Sequence, residues 1–225
     1  MIEFLFFDLD NTLLDFDKAE WIAVSKVMTD VGLEPTPERI RRYSAINDGY
    51  WKRIELGQID RSAALVGRFA DFFREEGVRA DAVRQEAAYE SYLGIGHYFM
   101  PGAPEILDAL VGRYRLFLAS NGTASVQDSR LNSSGLRRYF EGIFISERLG
   151  ANKPSRAFFD ACFAQIPDFD PACAMLIGDS LSSDIRGANG AGIKACWLNP
   201  KGLPAPPDCR VDREIRCLDD LRTFL

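Results

Sequence analysis

The sequence predicts an α/β protein in which a doubly wound, Rossmann-like parallel sheet carries an inserted all-helical domain. Short apolar runs alternate with helical stretches over the second half of the chain, which is typical of parallel strands covered on both faces. Between the first apolar run and the second lies a long region with helical periodicity and no convincing strand. A chain of 225 residues is long enough for one such core with one insert.

The predicted strands are short apolar runs that lack the alternation of a half-exposed strand. They are Phe4–Phe7, Leu116–Ala119, Ile143–Ile145, Met175–Ile177 and Ala195–Leu198. The later runs are separated by helical stretches at Thr123–Asn132, Ala157–Ile166 and Leu181–Gly190. This alternation of strand and helix predicts parallel pairing. The proline-rich stretch Asn199–Asp208 is predicted to be a surface loop.

The helical insert is predicted over residues 16–98, which leaves residues 1–15 and 99–225 for the α/β core. Four helices are predicted in it: one ending at Gly32, one capped by Thr36, one over Asp60–Gly77 and one over Asp81–Leu93. A structureless loop of this length is implausible in a compact domain, so the insert is expected to be a small domain of its own.

The composition limits the possible partners and compartments. The net charge is −6 and no basic stripe is present, so binding to a nucleic-acid polymer is not expected, whereas a nucleotide remains possible as a small ligand. No apolar stretch is long enough to cross a membrane, and the first residues lack the basic start of a secretory signal. Five cysteines without C-x-x-C spacing predict reduced thiols in a cytoplasmic protein, and the single histidine, His97, leaves a zinc site short of ligands. The choice between a monomer and a homodimer stays open.

Two carboxylates follow the first predicted strand directly. Asp8 and Asp10 are two positions apart, so both can face the same side of a still-extended backbone. Ligands bind at the carboxyl ends of the strands in sheets of this kind. An isolated Asp-x-Asp is equally suited to a turn or a helix cap, and the other strand ends therefore decide its role.

Polar residues also follow the other predicted strands. They are Ser120-Asn121-Gly122, Lys153-Pro154 and Gly178-Asp179-Ser180, with Asp184 one helical turn further on. Taken singly, Ser120 and Asp179 could also cap the helices that follow them, and Lys153 alone would be a solvated surface residue. Because parallel strands end along one edge of a sheet, these groups are expected to converge.

The convergence of these acids predicts a bound cation. The four carboxylates are Asp8, Asp10, Asp179 and Asp184. Two unit charges 4 Å apart interact by about 4 kcal/mol at an effective dielectric near 20, and Lys153 supplies only one compensating charge. Oxygen ligands alone favour Mg²⁺ over zinc. A site with Mg²⁺, a lysine and a hydroxyl is suited to a phosphate group.

Together these motifs resemble those of the haloacid dehalogenase-like (HAD) hydrolase superfamily along the whole chain. Its four motifs are matched by Asp8-Leu9-Asp10-Asn11-Thr12-Leu13, Ser120, Lys153-Pro154 and Gly178-Asp179-Ser180 with Asp184. The insert resembles the helical first-class cap of that superfamily. Within it, the chain is most similar to bacterial house-cleaning nucleotide 5′-phosphatases, in Arg130-Leu131, Ser134-Gly135-Leu136-Arg137, Ile145-Ser146-Glu147 and Cys196-Trp197-Leu198-Asn199.

The resemblance implies a two-step hydrolysis with two catalytic residues. Asp8 attacks phosphorus and forms an aspartyl-phosphate. Asp10 protonates the leaving oxygen and then takes a proton from the water that hydrolyses the intermediate. The dehalogenases of the superfamily lack this second acid, because a departing halide needs no proton. Asp10 therefore favours phosphoryl transfer over dehalogenation.

The resemblance also implies the ligands of the metal and of the phosphate. The Mg²⁺ ligands are Asp8, the backbone carbonyl of Asp10, and Asp179, with Asp184 supporting them. The phosphoryl oxygens are held by Ser120, by the Asn121 backbone N–H and by Lys153.

Substrate choice is expected to lie in the insert. Asn47 and Trp51 are four apart on one predicted helix, and Arg68 lies on the next, so an amide, a ring and a cation could hold a nucleobase or a sugar. Phe16 is a further candidate wall. Core packing is the plainer role for Trp51 and Phe69, and a surface position is the plainer one for Arg68.

The sequence predicts a Mg²⁺-dependent phosphatase acting on a small phosphorylated metabolite, a nucleoside 5′-monophosphate before others. A sugar-phosphate or phosphoglycolate-type phosphatase and a phosphomutase would use the same scaffold. A non-enzymatic alternative is a phospho-receiver or binding module. Receiver domains are about half as long, lack a cap and carry the accepting aspartate after a middle strand, so an enzyme is favoured.

Overall fold

The computed structural model describes all 225 residues, which form two compact units. One unit consists of Met1–Asp15 and His97–Leu225, and the other of Phe16–Gly96. The second crossing between the units thus lies two residues before the boundary that the sequence predicts.

The first unit is built on one six-stranded sheet. Its strands are β1 (Phe4–Phe7), β2 (Arg115–Ser120), β3 (Gly142–Ile145), β4 (Ala174–Gly178), β5 (Lys194–Leu198) and β6 (Arg213–Ile215). Their order is β3-β2-β1-β4-β5-β6, and every neighbouring pair is parallel. The predicted doubly wound α/β fold is confirmed. The edge strand β6 was not predicted, because it has only three residues, of which two are exposed, and so carries no apolar run.

Strand β1 lies at the centre of the sheet, between β2 and β4. Its last residue, Phe7, is in register with Leu118 on one side and with Ile177 on the other. The carboxyl ends of these three strands therefore lie side by side, at the point where the strand order reverses. This register brings the residues that follow the strands to one edge.

Both faces of the sheet are buried, which explains the continuous apolar runs. Along β1, Leu5 and Phe7 belong to one hydrophobic cluster, whereas Phe4 and Phe6 belong to another on the opposite face. All four side chains are buried. The faces are covered by helices α5 (Ala103–Leu110), α6 (Ala124–Ser134), α7 (Ser146–Leu149), α8 (Arg156–Phe163) and α9 (Arg186–Ala191), which follow the helices of the second unit in the chain.

The second unit is a bundle of four helices. They are α1 (Phe16–Asp30), α2 (Pro37–Glu55), α3 (Arg61–Glu75) and α4 (Ala82–Gly94). The Thr36 side chain caps α2 by accepting a hydrogen bond from the Arg39 N–H, and proline occupies the first turn. Buried rings fill the interior, where Tyr43 contacts Phe69, Phe72 and Tyr89.

Residues 199–212 contain no helix or strand, in keeping with the loop predicted there. No helix combines the length and the apolar character that crossing a bilayer would need.

Candidate active site

A tight turn directly after β1 carries the first motif. The Asp8 N–H still bonds to the carbonyl of Ile177 on β4, at 2.9 Å, so Asp8 is held against the sheet. Asn11 has a φ of 56°, in the left-handed region that asparagine tolerates better than most residues. The N–H groups of Leu13 and Leu14 both return to the carbonyl of Leu9 at 2.9 Å. The chain therefore reverses within a few residues of the two acids.

Lys153 is buried and forms an ion pair with two of the predicted acids. Its Nζ donates to Asp8 Oδ1 at 2.7 Å, to Asp184 Oδ1 at 2.7 Å and to the carbonyl oxygen of Ala119 at 2.6 Å. These three acceptors use all the donors of an ammonium group. Burial lowers the pKa of Lys153, but Asp184 and Asp8 outweigh it and raise the pKa above its ordinary value. The lysine therefore stays charged at the base of the site.

Carboxylate oxygens of Asp8, Asp179 and Asp184 lie within 4.8 Å of one another. Burial, together with repulsion from Asp184 and Asp179, raises the pKa of Asp8 well above its ordinary value despite the opposing effect of Lys153. Burial and Asp184 raise the pKa of Asp179 to about 7. Holding these acids ionised thus requires more positive charge than Lys153 supplies.

The charge balance fits a divalent cation with oxygen ligands. The site holds four carboxylates and two buried cations, namely Asp8, Asp10, Asp179 and Asp184 with Lys153 and Arg130. Two negative charges remain uncompensated when all six groups are ionised. A Mg²⁺ ion would offset both, and oxygen is the donor atom that it prefers.

The loop after β4 and the helical turn Leu181–Ile185 that follows it set the positions of the last two acids. A Cβ on Gly178 would lie 2.3 Å from Asp184 Oδ2, so only glycine leaves room for that carboxylate. The N–H of Ser180 donates to the same oxygen at 3.0 Å. Trp197, on the neighbouring strand β5, donates its indole N–H to the carbonyl of Asp179 at 2.8 Å. Backbone and core contacts on both sides therefore fix the loop.

The side chain of Asn121 clamps the loop that carries Lys153. Its Nδ2 donates to the carbonyl of Lys153 at 2.9 Å, and its Oδ1 accepts from the Lys153 N–H at 2.8 Å. The sequence predicts a role only for the backbone N–H of Asn121, as a phosphate ligand. The paired side-chain bonds add a second role, because they join the end of β2 to the lysine loop.

We expect Asn121→Ala to lower both stability and activity, because two part-buried hydrogen bonds are lost and the lysine loop is released. The expected loss of stability is about 1–3 kcal/mol in urea denaturation. Asn189→Ala is the matched control, since Asn189 makes the same pair of bonds to the backbone of Arg210 at 2.9 and 2.8 Å, away from the acids. An equal loss of kcat/KM in both variants would contradict a local role for Asn121.

Two residues of α6 that no sequence motif assigns to the site contact Asp10. Gln127 Nε2 donates to Asp10 Oδ2 at 2.6 Å, and Arg130 forms an ion pair with Asp10 Oδ1. Polar residues on the buried face of α6 are the one feature that could have indicated this contact. The buried face of α6 consists of Val126, Gln127, Arg130 and Leu131, so two of its four residues are polar. A charged residue on the buried face of a helix needs a partner.

The helical unit uses two of its three predicted substrate residues in its own interior. Asn47 and Arg68 are 1% and 3% exposed. Asn47 Nδ2 donates to Glu20 Oε1 at 2.7 Å, and its Oδ1 accepts from Arg68 Nη1 at 2.6 Å. Arg68 also forms an ion pair with Glu86 at 2.8 Å. The surface position considered for Arg68 is therefore wrong, because a buried carboxylate neutralises its charge. That Asn47 and Arg68 contact substrate stays a prediction.

The other candidates of the helical unit differ in their surroundings. Trp51 is half-buried on α2, with the Arg61 guanidinium 5.1 Å from the centre of its ring. Phe69 is fully buried and packs against the rings of Tyr43 and Tyr89 in tilted and edge-to-face geometry, so core packing is its role. Phe16 is the first residue of α1. The substrate role of Trp51 stays a prediction.

The fold and this acidic cluster define an α/β enzyme whose site lies at the carboxyl edge of a parallel sheet. A family model described as haloacid dehalogenase-like hydrolase matches residues 2–192. The chain therefore belongs to the haloacid dehalogenase-like hydrolase family, and the resemblance found in its motifs is confirmed.

Relatives of known sequence cover nearly the whole chain. The pyrimidine 5′-nucleotidase PynA of Streptococcus pneumoniae is 36% identical, over 97% of this chain and 93% of the relative. The pyrimidine 5′-nucleotidase YjjG of Escherichia coli is 29% identical, over 99% of this chain and 97% of the relative. The HAD-hydrolase YfnB of Bacillus subtilis, whose crystal structure has magnesium bound, superposes with a TM-score of 0.94 at 35% identity, covering 100% of this chain and 98% of YfnB.

Proposed function

We propose that the protein is a Mg²⁺-dependent phosphatase that hydrolyses a nucleoside 5′-monophosphate through an aspartyl-phosphate on Asp8. The observation that carries the proposal is the surroundings of the Asp8 carboxylate. It accepts a hydrogen bond from the buried Lys153 at 2.7 Å and lies within 4.8 Å of oxygens of Asp179 and Asp184. A nucleophile held beside a lysine and next to a cation site is suited to attack on a phosphoryl group.

The proposed metal ligands are the Asp8 carboxylate, the Asp10 backbone carbonyl and Asp179. Asp184 would support them from its bonds to Lys153 and to the Ser180 N–H. When bound, the cation would stabilise negative charge on the phosphoryl oxygens. YfnB, the relative with magnesium bound, supports the choice of ion.

The remaining residues have roles that their positions support. Asp8 would attack phosphorus while Asp10 gives a proton to the leaving oxygen, and Asp10 would then take a proton from the attacking water. Ser120 and the N–H of Asn121 would hold the phosphoryl oxygens. Lys153 would join them by exchanging one of the three acceptors of its Nζ for a phosphoryl oxygen. Positioning and charge stabilisation supply most of the rate in such a transfer, so each of these groups is needed.

The proposed substrate is a pyrimidine nucleoside 5′-monophosphate, because PynA and YjjG are both named pyrimidine 5′-nucleotidases. In the helical unit, Asn47, Trp51 and Arg68 are proposed to contact the base or the sugar. A cytoplasmic location is part of the proposal, and it is favoured by five cysteines that are all free thiols.

The test is phosphate release in Mg²⁺ and in EDTA from pyrimidine and purine nucleoside monophosphates, sugar phosphates and phosphoglycolate. We expect phosphate release only with Mg²⁺. We expect kcat/KM for the pyrimidine nucleotides to exceed that for each of the other substrates by about tenfold or more. Preference for a sugar phosphate would overturn the nucleotide assignment and leave the hydrolysis intact. A positional isomer instead of free phosphate would indicate a phosphomutase, and no release from any substrate would reject the phosphatase.

A further inference from the structure

Asp10 lies against a buried wall of polar side chains. Arg130 and Gln127 on α6, and Ser120 at the end of β2, are each at most 1% exposed. The Asp10 side chain is 26% exposed, so it forms the accessible end of the group. Two of these buried neighbours, Gln127 and Arg130, bond directly to Asp10 and therefore restrict the motion of its carboxyl group.

The four side chains form one connected network. Gln127 Nε2 has two hydrogens and donates one to Asp10 Oδ2 at 2.6 Å and the other to Ser120 Oγ at 2.9 Å. Gln127 Oε1 accepts from Arg130 Nη1 at 3.1 Å, and Arg130 also pairs with Asp10 Oδ1. Both carboxylate oxygens of Asp10 are therefore held, and each retains a second acceptor position for substrate or water.

Glycine at position 122 makes this arrangement possible. A Cβ there would lie 2.1 Å from Gln127 Nε2 and would displace the amide from both of its acceptors. The loop after β2 thus leaves room for the Gln127 side chain to reach Asp10 and Ser120 together.

Stability alone is a weak explanation for this network. Taking an arginine out of water is costly, and a buried ion pair can often be replaced by apolar residues without loss of stability. What the pair provides is a fixed orientation of the Asp10 carboxyl group. We infer that Gln127 and Arg130 are positioning residues for the acid–base step at Asp10, an inference that rests on the proposed function.

The step requires a well-placed carboxyl group. As the bond from Asp8 to phosphorus forms, the bond to the ester oxygen breaks, its electron pair stays on that oxygen, and Asp10 supplies the proton. In the second half, water attacks phosphorus and loses a proton to Asp10, while the bond to Asp8 breaks. Gln127 hydrogen-bonds to both Asp10 and Ser120, the proposed phosphate ligand. The position of the acid is therefore fixed relative to the bound phosphoryl group.

The test compares two substrates that differ in their need for a proton. A nucleoside monophosphate releases a strongly basic alkoxide, whereas dinitrophenyl phosphate releases a stable anion. Values of kcat/KM for both are measured with Mg²⁺ for the wild type, Arg130→Met, Arg130→Lys and Gln127→Met. Because kcat/KM covers only the steps through departure of the leaving group, a slow second half does not mask the comparison.

We expect Arg130→Met to lower kcat/KM by about 10²-fold for the nucleoside monophosphate, which is the size of a general-acid contribution. For dinitrophenyl phosphate we expect kcat/KM to fall by less than about threefold, since its leaving group needs no proton. Arg130→Lys keeps the charge and should fall between the wild type and Arg130→Met. Adding Arg130→Met to Asp10→Asn should cause no further loss, because both changes remove the same contribution.

The matched control is Arg137→Met, which removes an exposed arginine after the same helix. We expect kcat/KM to change by less than about twofold with either substrate. An equal fall for both substrates in Arg130→Met, or no fall, would overturn the inference. If Arg130→Met does not fold, Arg130→Lys and Gln127→Met decide by the same criterion. Failure of the proposed function is distinct, because the wild type itself would then release no phosphate.

Discussion

Asp8→Asn is expected to abolish turnover while leaving the protein folded. An amide is a poor nucleophile toward phosphorus, so we expect kcat to fall by about 10⁴-fold or more. Stability should be unchanged or higher, because one of several mutually repelling buried acids is removed. Lys153 keeps Asp184 and the carbonyl of Ala119 as acceptors, and the asparagine oxygen can replace the third. Steady-state kinetics and thermal unfolding of the same preparation test both expectations.

A direct measurement separates loss of the nucleophile from a general loss of structure. Acid-quenched wild-type protein should carry labelled phosphate after brief reaction with labelled substrate, and Asp8→Asn should carry none. Asp160→Asn is the matched control, because Asp160 is an exposed acid on α8 paired only at the surface with Arg156. Normal turnover by Asp8→Asn, or equal labelling of both variants, would rule out the proposed intermediate.

Lys153→Met is expected to damage both stability and activity. The variant keeps most of the aliphatic stem but leaves the carboxylates of Asp8 and Asp184 without their shared cation. Removing one partner of a buried ion pair typically costs about 3–5 kcal/mol. We expect kcat to fall by about 10³-fold, because a fixed positive charge beside the nucleophile and the phosphoryl group is lost.

Mg²⁺ provides a second measurement on the same variant. If the ion binds among these carboxylates, urea denaturation with Mg²⁺ should recover part of the stability that Lys153→Met loses in EDTA, since a ligand of the folded state stabilises it. Lys194→Met, at an exposed position of β5, should change neither stability nor its dependence on Mg²⁺. The predicted metal site would be contradicted if Mg²⁺ stabilised neither the wild type nor either variant.

The prediction of the sheet and its acidic edge required little information beyond the sequence. The run Phe4–Phe7 is apolar at every position because both faces of β1 are covered, and the motif residues follow directly from such runs. Once strands are parallel and neighbouring, the residues after them must meet at one edge. Asp8, Lys153 and Asp184 could therefore be placed together before any distance was known.

Helical side chains were harder to assign than strand ends. Arg68, a candidate for substrate contact with a surface position as the plainer alternative, is buried against Glu86 on α4, while Arg130 pairs with Asp10 across 120 residues of sequence. Both lie on helices, where the direction of a side chain depends on how the helix is rotated about its axis. Their partners come from other elements, the next helix for Arg68 and the turn after β1 for Arg130, so no pattern within one helix indicates the pairing.

By itself, the sequence determined the α/β class, the helical insert and the acids of the sheet edge, because hydrophobic periodicity and strand order suffice for these. Tertiary packing decided that Gln127 and Arg130 hold Asp10, that Asn121 clamps Lys153, and that a short edge strand follows the proline-rich loop. Each of these features depends on the rotation of a helix or the path of a loop. Helix rotation and loop path are set by contacts between segments that are far apart in the sequence. A buried charge or hydrogen bond therefore fixes them only after those segments have packed together.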